Sequence, residues 1–151
     1  CTEVGRRDDR LVGLCDIMPT LLGMCGIETP KEAEGLSMIG PTRREFFYGE
    51  HYSGANATRM IRDPQYKLIY YAVGNRMQLF DLKNDPNEMR DLAGEAALAP
   101  VRDRLTATLV SQLYGTDLEW IKDGKLVGKP ELPRPQRTNH GYSGQRGWRF
   151  M

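Results

Sequence analysis

The stretch Thr58 to Ala93, T-R-M-I-R-D-P-Q-Y-K-L-I-Y-Y-A-V-G-N-R-M-Q-L-F-D-L-K-N-D-P-N-E-M-R-D-L-A, constrains the fold most. Tyr66, Leu68 and Tyr70 alternate with Lys67, Ile69 and Tyr71. This period-two run of aromatic and β-branched side chains predicts a strand with one buried face. Ala72-Val73-Gly74-Asn75 then reads as a hairpin connection, because Gly and Asn reach positive φ easily, and Arg76 to Leu82 extends again. In Asp85-Pro86-Asn87-Glu88, Asp85 suits an N-cap, Pro86 the first helical position and Glu88 the reciprocal capping-box site. A hairpin feeding a capped helix is the expectation. It carries no chemistry by itself.

Upstream, Leu11, Leu14, Met18, Leu21 and Leu22 fall near helical spacing, with Gly26 past the end. Pro19 inside that pattern predicts a kink or a broken turn. The helix is apolar on more than one side, so an exposed apolar surface, or a partner covering it, is expected. Residues 28 to 44, with Pro30, Gly35, Gly40 and Pro41, read as a connection. Phe46 to His51 and Thr58 to Arg62 read as further strands of one antiparallel sheet, with Ser53 to Asn56 between them as a loop. Val101, Leu105, Leu109 and Leu113 recur every four residues within Ala96 to Tyr114, which predicts an amphipathic helix covering one sheet face, ended by Gly115. Asp123-Gly124 suggests a turn. From Lys129 onward the chain is rich in Pro, Gly and Arg without periodicity, a basic extension whose Trp148 and Phe150 suit docking onto something else.

Bulk properties exclude more than they assign. The 151 residues suffice for one modest core, and 40% hydrophobic with 27% charged residues is an ordinary globular balance. A net charge of +1 gives no global argument for nucleic acid or an acidic membrane surface. No apolar run approaches the ~20 residues needed to span a bilayer. Cys1, Cys15 and Cys25 lack paired metal or redox spacing, and Cys15 and Cys25 read as small buried hydrophobes. Nothing points to a compartment. Beginning at Cys1, the chain reads as a portion of a longer protein.

The order Arg59-Met60-Ile61-Arg62-Asp63, Tyr66-Lys67, Leu79-Phe80-Asp81-Leu82, Asn84-Asp85-Pro86 and Glu88 resembles the C-terminal subdomain of the type I sulfatases, in the alkaline-phosphatase superfamily. Asp16, Pro19-Thr20-Leu21-Leu22 and Gly26 resemble the last core helix of that family, and Glu34-Gly35-Leu36-Ser37-Met38 the link that follows. The resemblance implies an α+β fold: a small antiparallel sheet packed against a C-terminal amphipathic helix, preceded by a helix belonging to a separate α/β catalytic domain. It implies residues 1–43 as the end of that domain and a linker, 44–128 as the subdomain and 129–151 as the extension.

The activity implied for the parent is sulfuric ester hydrolysis by a formylglycine and a divalent cation, usually calcium. Neither has a place here. Cys1-Thr2-Glu3-Val4-Gly5 has Glu3 and Gly5 where a C/S-x-P-x-R motif needs Pro and Arg, and Cys15 and Cys25 fail as well. No cofactor of its own, no catalytic residue and no turnover are therefore expected of this stretch alone. Its expected role is to border a substrate cleft for a sulfated small molecule or sugar. His51 or Asn56 could bind a sugar hydroxyl, and Arg59 an anionic group. The alternative pairs Arg59 with Glu50 across the strands and leaves His51 merely exposed. His140, in the Gly-rich extension, is a further candidate for substrate, and that extension could instead serve homo-oligomer contacts. Hydrolysis of a phosphonate or phosphodiester within the same superfamily, or a non-catalytic interaction domain, remain the alternative functions. Nucleic-acid and membrane partners are not expected.

Overall fold

The computed structural model describes Gly5 and residues 8–131. Its centre is a four-stranded antiparallel meander in sequence order: β1 (Phe47–His51), β2 (Thr58–Arg62), β3 (Tyr66–Tyr71) and β4 (Arg76–Asp81). The register places Tyr48, Ile61, Leu68 and Leu79 in one transverse row and Glu50, Arg59, Tyr70 and Met77 in the next, all on the same face. Because side chains alternate, the opposite face carries the row Gly49, Met60, Ile69, Gln78 and the row His51, Thr58, Tyr71, Arg76.

Before the sheet lies α1 (Ile17–Met24); after it α2 (Ala99–Gln112) covers the first face, and a short hairpin, β5 (Ile121–Lys122) and β6 (Lys125–Leu126), closes the fold. Leu105 and Leu109 of α2 join Ile61, Leu68 and Leu79 with no exposed surface, alongside Tyr70 and Trp120. Each such aliphatic side chain contributes about 1.5–3 kcal/mol through burial. The four-residue repeat in α2 thus marks a core face, as its spacing predicts. Gly74 and Asn75 both take positive φ in the four-residue β3–β4 connection, a conformation these two residue types adopt readily.

The expected helix after Asp85 does not form. Residues 82–95 instead turn back along the outer edge of β4. Glu88 has φ +56, outside the helical region, and its carboxylate pairs with Lys67. The Asp85 side chain accepts from the Arg90 amide at 2.9 Å rather than from a helical third residue. The Leu79 amide donates to Asp91 Oδ1 at 3.0 Å, and the Leu79 carbonyl accepts from the Leu92 amide at 2.8 Å. Satisfying this strand edge binds the segment more tightly than a free-standing helical turn would.

Two further expectations are corrected. Helix α1 begins only at Ile17, after a 3-10 turn at Leu14–Asp16, so Pro19 sits in the first turn, where no intrahelical donor is needed, and produces no internal kink. Cys15 and Cys25 are exposed rather than buried. The apolar surface expected around α1 is present: Leu14 is 86% exposed, and Ile17, Met18, Leu21 and Met24 are also open.

The connection after α1 is less loose than its composition suggests. Buried Asp16 accepts from the Gly13 amide at 2.8 Å and the Leu36 amide at 2.7 Å, and pairs with Arg44. Burial works against its charge, but these donors hold the carboxyl below the usual range. Thr20 Oγ1 accepts from the Met38 amide at 2.9 Å. Residues 36–44 are thereby stapled to α1.

Candidate functional site

The polar residues singled out between β1 and β2 gather at one end of the sheet. His51 ends β1 and is exposed, with its ring edge-on to Tyr52 at 4.3 Å between centroids. Tyr52 adopts φ +55, a conformation unusual for a bulky side chain, and Gly54 φ +62. A 3-10 turn over Gly54–Asn56 returns the chain to β2, with Asn56 exposed and Ala57 buried. The β3–β4 connection lies at the same sheet end, because His51, Thr58, Tyr71 and Arg76 share one row.

Arg59 belongs to the other face, over the core end, and is only 5% exposed. Its Nε donates to Asp117 Oδ2 at 2.6 Å. Its Nη1 donates to the carbonyls of Thr58 at 2.9 Å, Tyr52 at 3.1 Å and His51 at 3.4 Å. The guanidinium also lies over the Trp120 ring, 5.1 Å from its centroid. Burial favours losing the charge, but Asp117 outweighs it and raises the arginine pKa further. Glu50 faces Arg59 in the β1–β2 register, yet the carboxylate that grips the guanidinium is Asp117, itself 5% exposed.

Asp117 reaches this position because Gly115, at φ +57, leaves the end of α2 and opens a 3-10 turn, Gly115–Trp120, that aims Asp117 and Trp120 inward. Sequence reasoning missed it. The only cue was an acidic residue just past the Gly that ends the helix, and its partner lies 58 positions away.

Glu50 serves two tyrosines instead. Its carboxylate lies near the Tyr114 phenol and raises its pKa. The Tyr48 phenol is raised well above its ordinary range, first by burial and then by Glu50. The Tyr48 hydroxyl has no hydrogen-bond partner of regular geometry among the described residues. These three residues line an open cleft of about 700 Å³ together with Arg44 and Phe46. A smaller groove of about 430 Å³ is lined by His51, Thr58, Met60, Ile69 and Tyr71 of the opposite sheet face together with Glu50 and Arg59. His140 lies outside the described residues.

Among the described residues no three His, Cys, Asp or Glu side chains gather to hold a metal ion. No described helix is long and apolar enough to cross a membrane.

A four-strand meander with one covering helix and a polar loop at the sheet end is an arrangement found at the C-terminal end of solved sulfatases. A solved 2-O GAG sulfatase shares it with a TM-score of 0.59 and 29% identity, over 64% of this chain and 23% of that one. The chain belongs to the family described as N-sulphoglucosamine sulphohydrolase, C-terminal, whose model matches residues 2–114. It is 30% identical over 129 residues to the arylsulfatase of Clostridium perfringens, covering 82% of this chain and 27% of that protein. The chain therefore spans about a quarter of that relative's length. The phosphonate monoester hydrolase of Agrobacterium radiobacter shares the fold alone, with a TM-score of 0.56 and 22% identity over 83% of this chain and 30% of that one.

Proposed function

We propose that this chain is the C-terminal portion of a sulfuric ester hydrolase and that its β1–β2 loop borders the substrate cleft of the whole protein. In this reading residues 1–43 end the catalytic domain, residues 44–128 form the subdomain, and residues 129–151 extend from it. The observation that carries the reading is the match of residues 2–114 to a sulfatase C-terminal family, together with a polar loop held rigidly at one sheet end. In this reading the nucleophile and any cation belong to the part of the catalytic domain outside this chain. The exposed side chains of α1 are the surface on which that part would pack.

Within the cleft, His51 and Asn56 would donate or accept hydrogen bonds to a sulfated sugar, whose hydroxyls need such groups for orientation. The solved 2-O GAG sulfatase supports a 2-O-sulfated GAG sugar as the substrate class. Phosphonate ester hydrolysis is the second reading, supported by fold alone.

The test is product release by the full-length protein carrying this chain. Inorganic sulfate is expected from a 2-O-sulfated GAG disaccharide and from an aryl sulfate, with slower turnover of a phosphonate monoester. Faster turnover of the phosphonate would transfer the assignment to the second reading. Absence of a C/S-x-P-x-R motif upstream would remove formylglycine chemistry altogether.

A further inference from the structure

We infer that Arg59 and Asp117 form a positioning pair that sets the conformation of the β1–β2 loop, and that contact with substrate falls to the loop rather than to the guanidinium. The inference rests on the cleft-bordering reading above. Both side chains are largely buried, and the Arg59 nitrogens Nε and Nη1 point at protein acceptors rather than outward. The Arg59 donors are already engaged at Nε and Nη1, the first by a carboxylate and the second by three carbonyls.

Those carbonyls are placed for a positioning role. His51 and Tyr52 enter the loop, and Thr58 leaves it, so one planar guanidinium ties both ends together. Tyr52 holds its positive φ inside this clamp. A non-glycine residue in that region persists only when its surroundings fix it. Trp120 sets the guanidinium plane from one side, and Asp117 supplies the charge without which the buried arginine would be unstable. Both come from the Gly115–Trp120 turn, so the C-terminal end of α2 is mechanically linked to a loop at the sheet end.

The experiment uses the full-length protein with Asp117→Asn, Arg59→Gln, the double variant and His51→Ala. Two readouts are taken: steady-state kinetics on a 2-O-sulfated disaccharide, and amide exchange over residues 52–57. Positioning predicts that Asp117→Asn and Arg59→Gln each raise KM about tenfold with kcat little changed, as misplacement of a binding group does. The double variant should be no worse than the poorer single one, because the two act as a unit. Loop exchange should accelerate in all three.

Direct anion binding by Arg59 predicts otherwise: Arg59→Gln raises KM while Asp117→Asn leaves it unchanged or lowers it. That result would overturn the inference. So would a lowered Tm with loop exchange and KM unchanged, the signature of a merely structural pair. Should Arg59→Gln fail to fold, the near-isosteric Asp117→Asn still decides between these outcomes. An unchanged KM in His51→Ala would refute the cleft reading itself, which the exchange measurement does not depend on.

Discussion

Replacing Gly128 by Ala should release the segment that closes the far end of the core. Gly128 follows β6 at φ +63, and a Cβ there would stand 2.4 Å from the Ala72 carbonyl oxygen and 2.9 Å from the Tyr70 hydroxyl. The backbone cannot yield, because the same carbonyl accepts from the Lys129 amide at 2.7 Å and the Gly74 amide donates back to Lys129 at 2.9 Å. An L-residue in the left-handed region costs about 1 kcal/mol, and losing two main-chain hydrogen bonds about 0.5–1.5 kcal/mol each. The segment should therefore open more readily by about 2–4 kcal/mol. In hydrogen exchange this is a roughly 30- to 700-fold faster rate at the Gly74 and Lys129 amides, one decade per 1.4 kcal/mol. Gly124→Ala is the control: its φ is +72, but nothing lies within 4 Å of the added carbon. It should show only the conformational cost of about 1 kcal/mol. Equal effects of the two substitutions, or unchanged exchange at Gly74 and Lys129 in Gly128→Ala, would refute the steric argument.

Two further outcomes follow from the carboxylates that organise the strands. Asp63 accepts from the Gln65 and Tyr66 amides and pairs with Arg104 at 2.6 Å; burial pushes its carboxyl up, but these donors outweigh it and hold it below the usual range. Its folded pKa is thus depressed, so the contribution is fully present above about pH 4 and lost as pH falls through the lower folded value. Asp63→Asn should lower Tm at neutral pH, and thermal melts should show the gap to wild type narrowing in acid. Asp91→Ala should cost about 1–2 kcal/mol in chemical denaturation, because it strips the acceptor from the Leu79 amide at the outer edge of β4.

Much of the sheet was legible because it rests on local rules. The alternation at Tyr66 to Tyr71 specifies which side chains face α2, and Gly74-Asn75 supplies the positive φ that the hairpin needs. The repeat Val101, Leu105, Leu109, Leu113 similarly names the helix face that meets the sheet. The capped helix at Asp85 misled because Asp, Pro and Asn favour turns for the same backbone reasons that favour helix starts. The unpaired edge of β4, a tertiary feature, decided between them. Cys15 was misjudged because a helix apolar on several sides does not reveal which side is covered. In the site, His51 and Asn56 were legible as loop residues at a strand end. The partner of Arg59 was not: register pointed to Glu50, whereas a turn beyond α2 delivered Asp117 from far along the chain. Only the folded arrangement shows that the arginine supports the loop from within.

Comparing wild-type and His51→Ala full-length protein on two substrates of different size gives the most direct test of the account. A sulfated disaccharide long enough to reach the loop should show a raised KM in the variant with kcat retained, while a small aryl sulfate should be turned over unchanged. Identical kinetics of the two proteins on the disaccharide would contradict the placement of the β1–β2 loop at the substrate cleft.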